Sequence, residues 1–414
     1  MLLLKNHAHY SKIHMLLTAQ ITGERRGNLA NIRVLVADDS ALYRRIITKA
    51  VDLAAPGAQV EYATNGAEVL TALQTSQFDL VLMDVSMPVK DGLETLTELK
   101  PLYPNLPVVI ISGVSLKSVD LALLALDRGA LDFIAKPQTG SMDVQIDKIA
   151  APLRSLLQHI RTRSVQLSVY DRLKARSPQE SIRPLRPSER LGSVRQLPTM
   201  SPLSSTLASV SAQSQVRGLQ HWDTMDLVMI AASTGGPAAL ERVLCRLPAT
   251  FNKPILVVQH MPDGFTKALA DKMNNHSAIR ISEAADGSLM RPGLALIAPG
   301  GMHMIARRGK MVRLNSSEYV NGVRPSADVL FRSVAEEYAG GKILTIVLTG
   351  MGSDGMEGIR ELKRTTRCYS ITQSESSCVV YGMPRSVVES KLSDEVVALD
   401  LIANRIDDIV RRGV

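Results

Sequence analysis

The sequence predicts an α/β protein built as two doubly wound parallel-sheet domains joined by a flexible basic linker. Three observations carry that expectation. Short apolar runs alternate with helical patterns over residues 31–150 and again over 225–414, the signature of parallel strands with crossover helices. Residues 151–224 break the alternation with Ser, Pro, Gln and Arg and few periodic apolar positions. A chain of 414 residues is also too long for one ordinary domain and long enough for two.

In the first domain the strands read "IRVLVAD", "VEYAT", "FDLVLMD", "PVVIIS" and "LDFIAKP". Between them lie "SALYRRIITKAVDLA", "GAEVLTALQT", "DGLETLTELKPLY" and "SLKSVDLALLALDRGA", each with apolar residues at helical spacing. The functional edge of such a sheet is the carboxyl end of its strands. There the first strand ends in Asp38 and Asp39, the third in Asp84, the fourth in Ser112 and the fifth in Lys136. Carboxylates so gathered repel one another unless a hard divalent cation lies between them, which implies a magnesium site. A lysine and a hydroxyl beside the metal suit a tetrahedral oxyanion such as a phosphoryl group. A single strand-end Asp is more simply a helix cap, but five polar residues from four strands are not explained that way.

Residues 32–150 resemble the receiver domain of two-component response regulators, through "ADDSALYRR", "LMDVSMPVKDG" and "AKP" in order. The resemblance implies a flavodoxin-like sheet with Asp84 as phosphoacceptor. It implies that Asp39, Asp84 and the backbone carbonyl of Ser86 hold Mg2+, with Asp38 helping to position it. Ser112 and Lys136 would contact the phosphoryl oxygens, Phe133 matches the aromatic switch position, and a histidine kinase would be the phosphoryl donor.

The second domain opens on "MIAASTGGPAAL", residues 229–240. An apolar run stops at Ser233, two glycines permit a tight turn, and Pro237 opens a helical pattern. Strand "KPILVVQ" ends at His260, and strand "KILTIVLTG" runs into "MGSDG" with Asp354. A hydroxyl, an imidazole and a carboxylate thus each end a strand, the inventory of a nucleophile, its base and the group that orients the base. The chain order Ser, His, Asp differs from the Ser, Asp, His of the α/β-hydrolases, and Ala231 stands where their G-x-S-x-G elbow has its first glycine. Taken singly, Ser233 reads as a turn serine, His260 as a satisfied strand-end histidine, and Asp354 as the N-cap of the following helix. His303 in "APGGMHM" is a rival base.

This half resembles the catalytic domain of the chemotaxis protein-glutamate methylesterase through "ASTGGPAAL", "QHMPDGFT", "IAPGGMHM", "RPSADVLF", "VLTGMGSDG" and "SSCVVYGMPRSV". By that resemblance Ser233 is the nucleophile, His260 the general base and acid, and Asp354 the residue orienting His260. Met351 and Thr234 would stabilise the oxyanion, and His303 would be structural or contact substrate. The implied activity is demethylation of glutamate methyl esters on methyl-accepting chemotaxis receptors, with deamidation of glutamines, under control of receiver phosphorylation. No cofactor is expected in this domain. The sequence departs from the usual pattern at Ala231, at "SESSC" and at "RTTRCYS", none of them a catalytic position.

Charge and composition set the remaining bounds. Lys and Arg number 48 against 40 Asp and Glu, an excess of 8. Residues 151–220 hold eleven of the basic and three of the acidic residues, the same excess, so the linker carries it and no basic nucleic-acid face is visible. A DNA-binding response regulator is the rival this charge suggests; a non-catalytic adaptor binding receptors or kinase is the other. Three cysteines without paired spacing fit a reducing compartment. No apolar run reaches the roughly 18 residues that span a bilayer. Residues 1–30 read as a disordered extension rather than a signal peptide, so a cytoplasmic location without membrane insertion is expected.

Overall fold

A computed structural model describes residues 32–113, 115–175 and 225–414 of the chain. The expected N-terminal extension and the linker beyond residue 175 lie outside the described residues.

The first half runs β1 (Arg33–Ala37), α1 (Ala41–Ala54), β2 (Gln59–Ala63), α2 (Gly66–Thr75), β3 (Leu80–Asp84), α3 (Gly92–Leu102), β4 (Val108–Ser112), α4 (Leu116–Asp127), β5 (Asp132–Ala135) and α5 (Met142–Ala175). The strands form one parallel sheet in the order β2-β1-β3-β4-β5. Strands β3 and β4 are buried throughout, as continuous apolar strands covered on both faces must be. Helix starts are written locally: Ser40 accepts the Tyr43 N–H, Asn65 accepts that of Glu68, and Asp91 and Glu94 form a capping box.

The linker expected from residue 151 begins later. Helix α5 continues through residue 175, and Leu153, Leu156, Leu157 and Ile160 are buried in the apolar cluster of the first half. These four recur at i, i+3, i+4 and i+7, one face of a helix. The segment up to Ile160 therefore belongs to the first domain.

The second half runs β6 (Leu227–Ala232), α6 (Gly236–Leu244), β7 (Ile255–Gln259), α7 (Phe265–Asn274), β8 (Arg280–Glu283), β9 (Leu294–Ile297), β10 (His303–Arg307), β11 (Met311–Asn315), α8 (Ala327–Glu337), β12 (Lys342–Val347), α9 (Met356–Thr365), β13 (Arg367–Gln373), α10 (Met383–Glu389), β14 (Glu395–Val397) and α11 (Leu399–Arg412). Seven parallel strands are ordered β14-β13-β12-β6-β7-β9-β8, and β10–β11 form a separate antiparallel hairpin. The chain leaves β6 toward β7 and later returns to the other side of β6 as β12. The β6–β12 boundary is thus the switch point, where loops diverge and leave a crevice.

The halves are in contact. One apolar cluster runs through both, and the rings of Phe133 on β5 and Phe265 on α7 stack with centroids 4.2 Å apart at 12°. At the seam's edge Lys272 pairs with Asp127. Among the described residues no helix is long and apolar enough to cross a membrane.

Candidate active site

Two sites emerge, one on each sheet. On the first, Asp38, Asp39 and Asp84 bring one carboxylate oxygen each to within 4.8 Å of one another. Lys136 Nζ lies 2.8 Å from Asp38 Oδ2 and 2.5 Å from Asp84 Oδ2. Burial pushes the Asp84 carboxyl above its usual range, against the pull of Lys136. Burial alone would lower the Lys136 ammonium, but Asp84 and Asp38 outweigh it and hold it above the ordinary lysine range. Asp38 Oδ2 is buried and faces the Lys136 ammonium without a well-directed hydrogen bond. A cation-sized acidic cluster with such an oxygen fits a hard divalent ion. Ser112 is buried at the end of β4, its carbonyl accepting the Lys136 N–H at 2.7 Å. Ser86 is exposed, and its N–H points to Asp84 Oδ1 at 3.4 Å.

On the second sheet, Ser233 follows β6 directly at the switch point. Its N–H donates to the Thr349 carbonyl at 3.0 Å, and its carbonyl accepts from Gly236 N at 2.7 Å and Gln259 Nε2 at 2.9 Å. The backbone around the hydroxyl is therefore fixed from both sides, by Gln259 at the end of β7 and by Thr349 just past β12. The turn needs both its glycines. Gly235 sits at φ 73°, the left-handed region. A Cβ on Gly236 would lie 1.9 Å from Gln259 Oε1.

His260 follows β7, its N–H held by the Ala232 carbonyl at 3.1 Å. Its Nε2 lies 2.8 Å from Asp354 Oδ2. Asp354 also accepts from Ser326 Oγ at 2.6 Å, Ala327 N at 2.6 Å, Asp328 N at 3.1 Å and Asn321 Nδ2 at 3.1 Å. Burial alone would raise this carboxyl, but the His260 ring and the other donors outweigh it and bring it down to about 2. An ionised carboxylate only accepts, so Nε2 carries the proton and Nδ1 is left as the basic nitrogen. No hydrogen bond joins Ser233 Oγ to the ring among the described residues.

Beside Ser233, the Thr234 and Met351 N–H groups donate to no backbone carbonyl among the described residues. Two backbone donors near Ser233 are thus left without a backbone acceptor, the kind of group an oxyanion needs. Thr234 is buried, its carbonyl fixed by Thr349 Oγ1 at 3.0 Å. The first domain reaches this same edge. Met351 packs against the first domain's apolar cluster, and the Asp132 carboxyl at the start of β5 lies beside Thr234. Asp132 as a residue is partly exposed, yet its carboxyl lies against Thr234, and burial pushes it up to about 6.

The structure brings Ser233, His260, Asp354, Thr234 and Met351 to one sheet edge, as the strand ends predict. It does not make Asp354 the N-cap of the helix after it. Gly355 holds that position, and Asp354 instead receives the first N–H groups of α8. Nor is His303 a rival base. It is fully buried, its Nδ1 accepts the Ser326 N–H at 3.1 Å, and its Nε2 faces the Glu318 carbonyl at 3.0 Å. Burial pushes the Cys245 thiol up to about 11 and those of Cys368 and Cys378 up to about 12, so none supplies a thiolate near neutral pH. Sequence reading missed Gln259, Asn321, Ser326 and Thr349, which hold the site from behind. The signal for Ser326 was "RPSADVLF", an N-cap serine opening an apolar helix.

Residues 228–406 match the family model of the CheB methylesterase, and residues 34–147 that of the response regulator receiver domain. The chain is 39% identical over 388 residues to a protein-glutamate methylesterase/protein-glutamine glutaminase of Halalkalibacterium halodurans, covering 92% of this chain and 99% of that one. A protein of the same name from Clostridium acetobutylicum is 35% identical over 383 residues, with coverage of 92% and 99%. The chain belongs to the CheB methylesterase family. The crystal structure of the Thermotoga maritima CheB methylesterase catalytic domain aligns with 39% identity and a TM-score of 0.43, covering 45% of this chain and 100% of that one. Ser233, His260 and Asp354 all fall inside the CheB methylesterase match, and Asp38, Asp84, Ser112 and Lys136 inside the receiver match.

Proposed function

We propose that this CheB-family protein hydrolyses glutamate methyl esters on methyl-accepting chemotaxis receptors, and deamidates glutamines there, when Asp84 is phosphorylated. The observation that carries the reading is the His260–Asp354 pair at 2.8 Å beside Ser233 at the switch point, with two unspent amides next to it.

Ser233 Oγ attacks the side-chain ester carbonyl carbon while His260 Nδ1 takes its proton. The negative oxygen is received by the Thr234 and Met351 N–H groups, each such donor being worth about 3 kcal/mol to the transition state. Asp354, held ionised, stabilises the imidazolium. Collapse breaks the bond to the methoxy oxygen, which takes the proton from His260 and leaves as methanol. Water then attacks the acyl-enzyme, His260 accepting its proton and returning it to Ser233 Oγ, and the glutamate carboxylate is released. With glutamine the leaving group is ammonia.

In the receiver, Asp38, Asp39, Asp84 and the Ser86 carbonyl would hold Mg2+, which would supply positive charge to a phosphoryl group bound there. Ser112 and Lys136 would contact the phosphoryl oxygens, and a cytoplasmic histidine kinase would supply the group. The contacts of Phe133 and Met351 across the seam support a receiver that lies against the mouth and would exclude a receptor helix until phosphorylation loosens it. Neither rival function uses a buried His–Asp pair beside a strand-end serine. Methanol release from methylated receptor membranes tests the reading: Ser233→Ala should abolish release while still cosedimenting with the membranes. Release that survives the substitution would exclude Ser233 as the nucleophile.

A further inference from the structure

Helices α8 and α9 exchange their capping carboxylates. Asp354, just ahead of α9, receives the N–H groups of Ala327 and Asp328 at the start of α8, at 2.6 and 3.1 Å. Asp328, in the first turn of α8, receives those of Gly355 and Gly358 at the start of α9, at 3.0 and 2.7 Å. Asn321 Nδ2 bridges the two carboxylates, 2.9 Å from Asp328 Oδ2 and 3.1 Å from Asp354 Oδ1. Each helix N-terminus thus faces the acid of the other, where the aligned amide dipoles favour negative charge.

Ser326 is the odd member of this lock. It occupies the N-cap position of α8, where a serine hydroxyl ordinarily accepts an N–H of its own helix. Here it makes no such bond. Its hydroxyl instead donates to Asp354 Oδ1 at 2.6 Å, from a fully buried position. Its own N–H is in turn held by buried His303 at 3.1 Å. The hydroxyl has therefore been taken from the helix and given to the carboxylate that faces His260.

We propose that Ser326 is a positioning residue for ester cleavage, holding Asp354 in place against His260 and drawing off part of its negative charge through Oδ1. The inference rests on reading Ser233, His260 and Asp354 as the cleaving set. Removing the hydroxyl leaves four donors on Asp354, so the carboxylate stays ionised but carries more charge toward the ring. The imidazolium is then held more tightly, which moves the acid limb, while the loss of rate comes from an Asp354 no longer locked in place against His260. Because Ser326 caps no helix through its side chain, its loss leaves α8 capped as before.

The test uses the full chain, activated with acetyl phosphate and Mg2+, and methanol release from methylated receptor membranes between pH 5 and 9. Wild type, Ser326→Ala, Ser326→Thr and Ser233→Ala are compared, with melting temperatures measured alongside. Loss of one hydrogen bond to a charged group lowers kcat about tenfold to a hundredfold. The expected result for Ser326→Ala is that loss with KM unchanged, and an acid limb of kcat/KM displaced to higher pH. Ser326→Thr, which keeps the hydroxyl, restores both. An unmoved or downward-moved limb, or a loss that Ser326→Thr shares and that follows the melting temperature, overturns the proposal and leaves the cleaving set standing. Wild-type release that equals the Ser233→Ala blank sinks the reading itself, and the proposal with it.

Discussion

Ser233 owes its place to two neighbours that grip its backbone. Gln259 Nε2 holds its carbonyl and Thr349 its N–H, so the hydroxyl projects from backbone fixed on both sides by adjacent strands. Gly236 makes this possible by letting the helix start approach Gln259. A Cβ there would meet Gln259 Oε1 at 1.9 Å and Ala232 Cβ at 2.9 Å. The amide cannot swing away without losing its bond to Ser233, so Gly236→Ala should destabilise the chain by about 1–3 kcal/mol, as overpacking does. It should also lower kcat more than KM. Urea unfolding and steady-state kinetics on one preparation check this, and an unchanged midpoint with normal kcat contradicts it. The positions of Ser233 and His260 were legible because each directly follows an apolar strand, and that of Asp354 because β12 runs into its loop. Their supports were not. Gln259, Thr349 and Ser326 are ordinary polar residues whose roles depend on partners 26, 115 and 28 positions away, distances that no local pattern encodes.

At the scale of elements, the alternation of apolar runs and helical patterns gave the strands that carry the chemistry. The edges of the second sheet were harder to read. Strand β8, with four residues, and strand β14, with three, are too short to show a period, and their pairing with β9 and β13 is set by the sheet already formed. The hairpin β10–β11 lies off that sheet and places His303 beneath Ser326. The boundary of the receiver was misplaced for a different reason. The Ser, Pro, Gln and Arg content of residues 151–224 suggested a break from residue 151, yet Leu153, Leu156, Leu157 and Ile160 keep helical spacing past it. Burial of that apolar stripe against the receiver core outweighs the composition of its exposed face.

For the molecule as a whole, the proposed regulation runs through the seam between the halves. The Phe133–Phe265 stack, which contributes about 1 kcal/mol beyond its buried area, ties β5 of the receiver to the helix that follows His260. Beside it the Asp132 carboxyl, which accepts the Phe133 N–H at 2.9 Å and lies against Thr234, is pushed up to about 6 by burial. A carboxyl raised above its usual value near 4 favours the docked arrangement in its protonated form. That contribution is complete below about 4 and is lost as pH rises through about 6. The ratio of basal to phosphodonor-activated methanol release should therefore climb from pH 5 to 7.5. Asp132→Asn should flatten the climb and lower the basal rate at pH 7.5. A ratio that is flat in the wild type contradicts this role for the seam.

The central claim is that one chain couples a phosphorylated receiver to a serine esterase. Its most direct measurement is methanol release from methylated receptor membranes with and without acetyl phosphate and Mg2+, for the intact protein and for Asp84→Asn. The predicted result is release by the intact protein that rises with the phosphodonor, and release by Asp84→Asn that stays at the basal rate in both conditions. Release indifferent to the phosphodonor, or equally stimulated in Asp84→Asn, would contradict it.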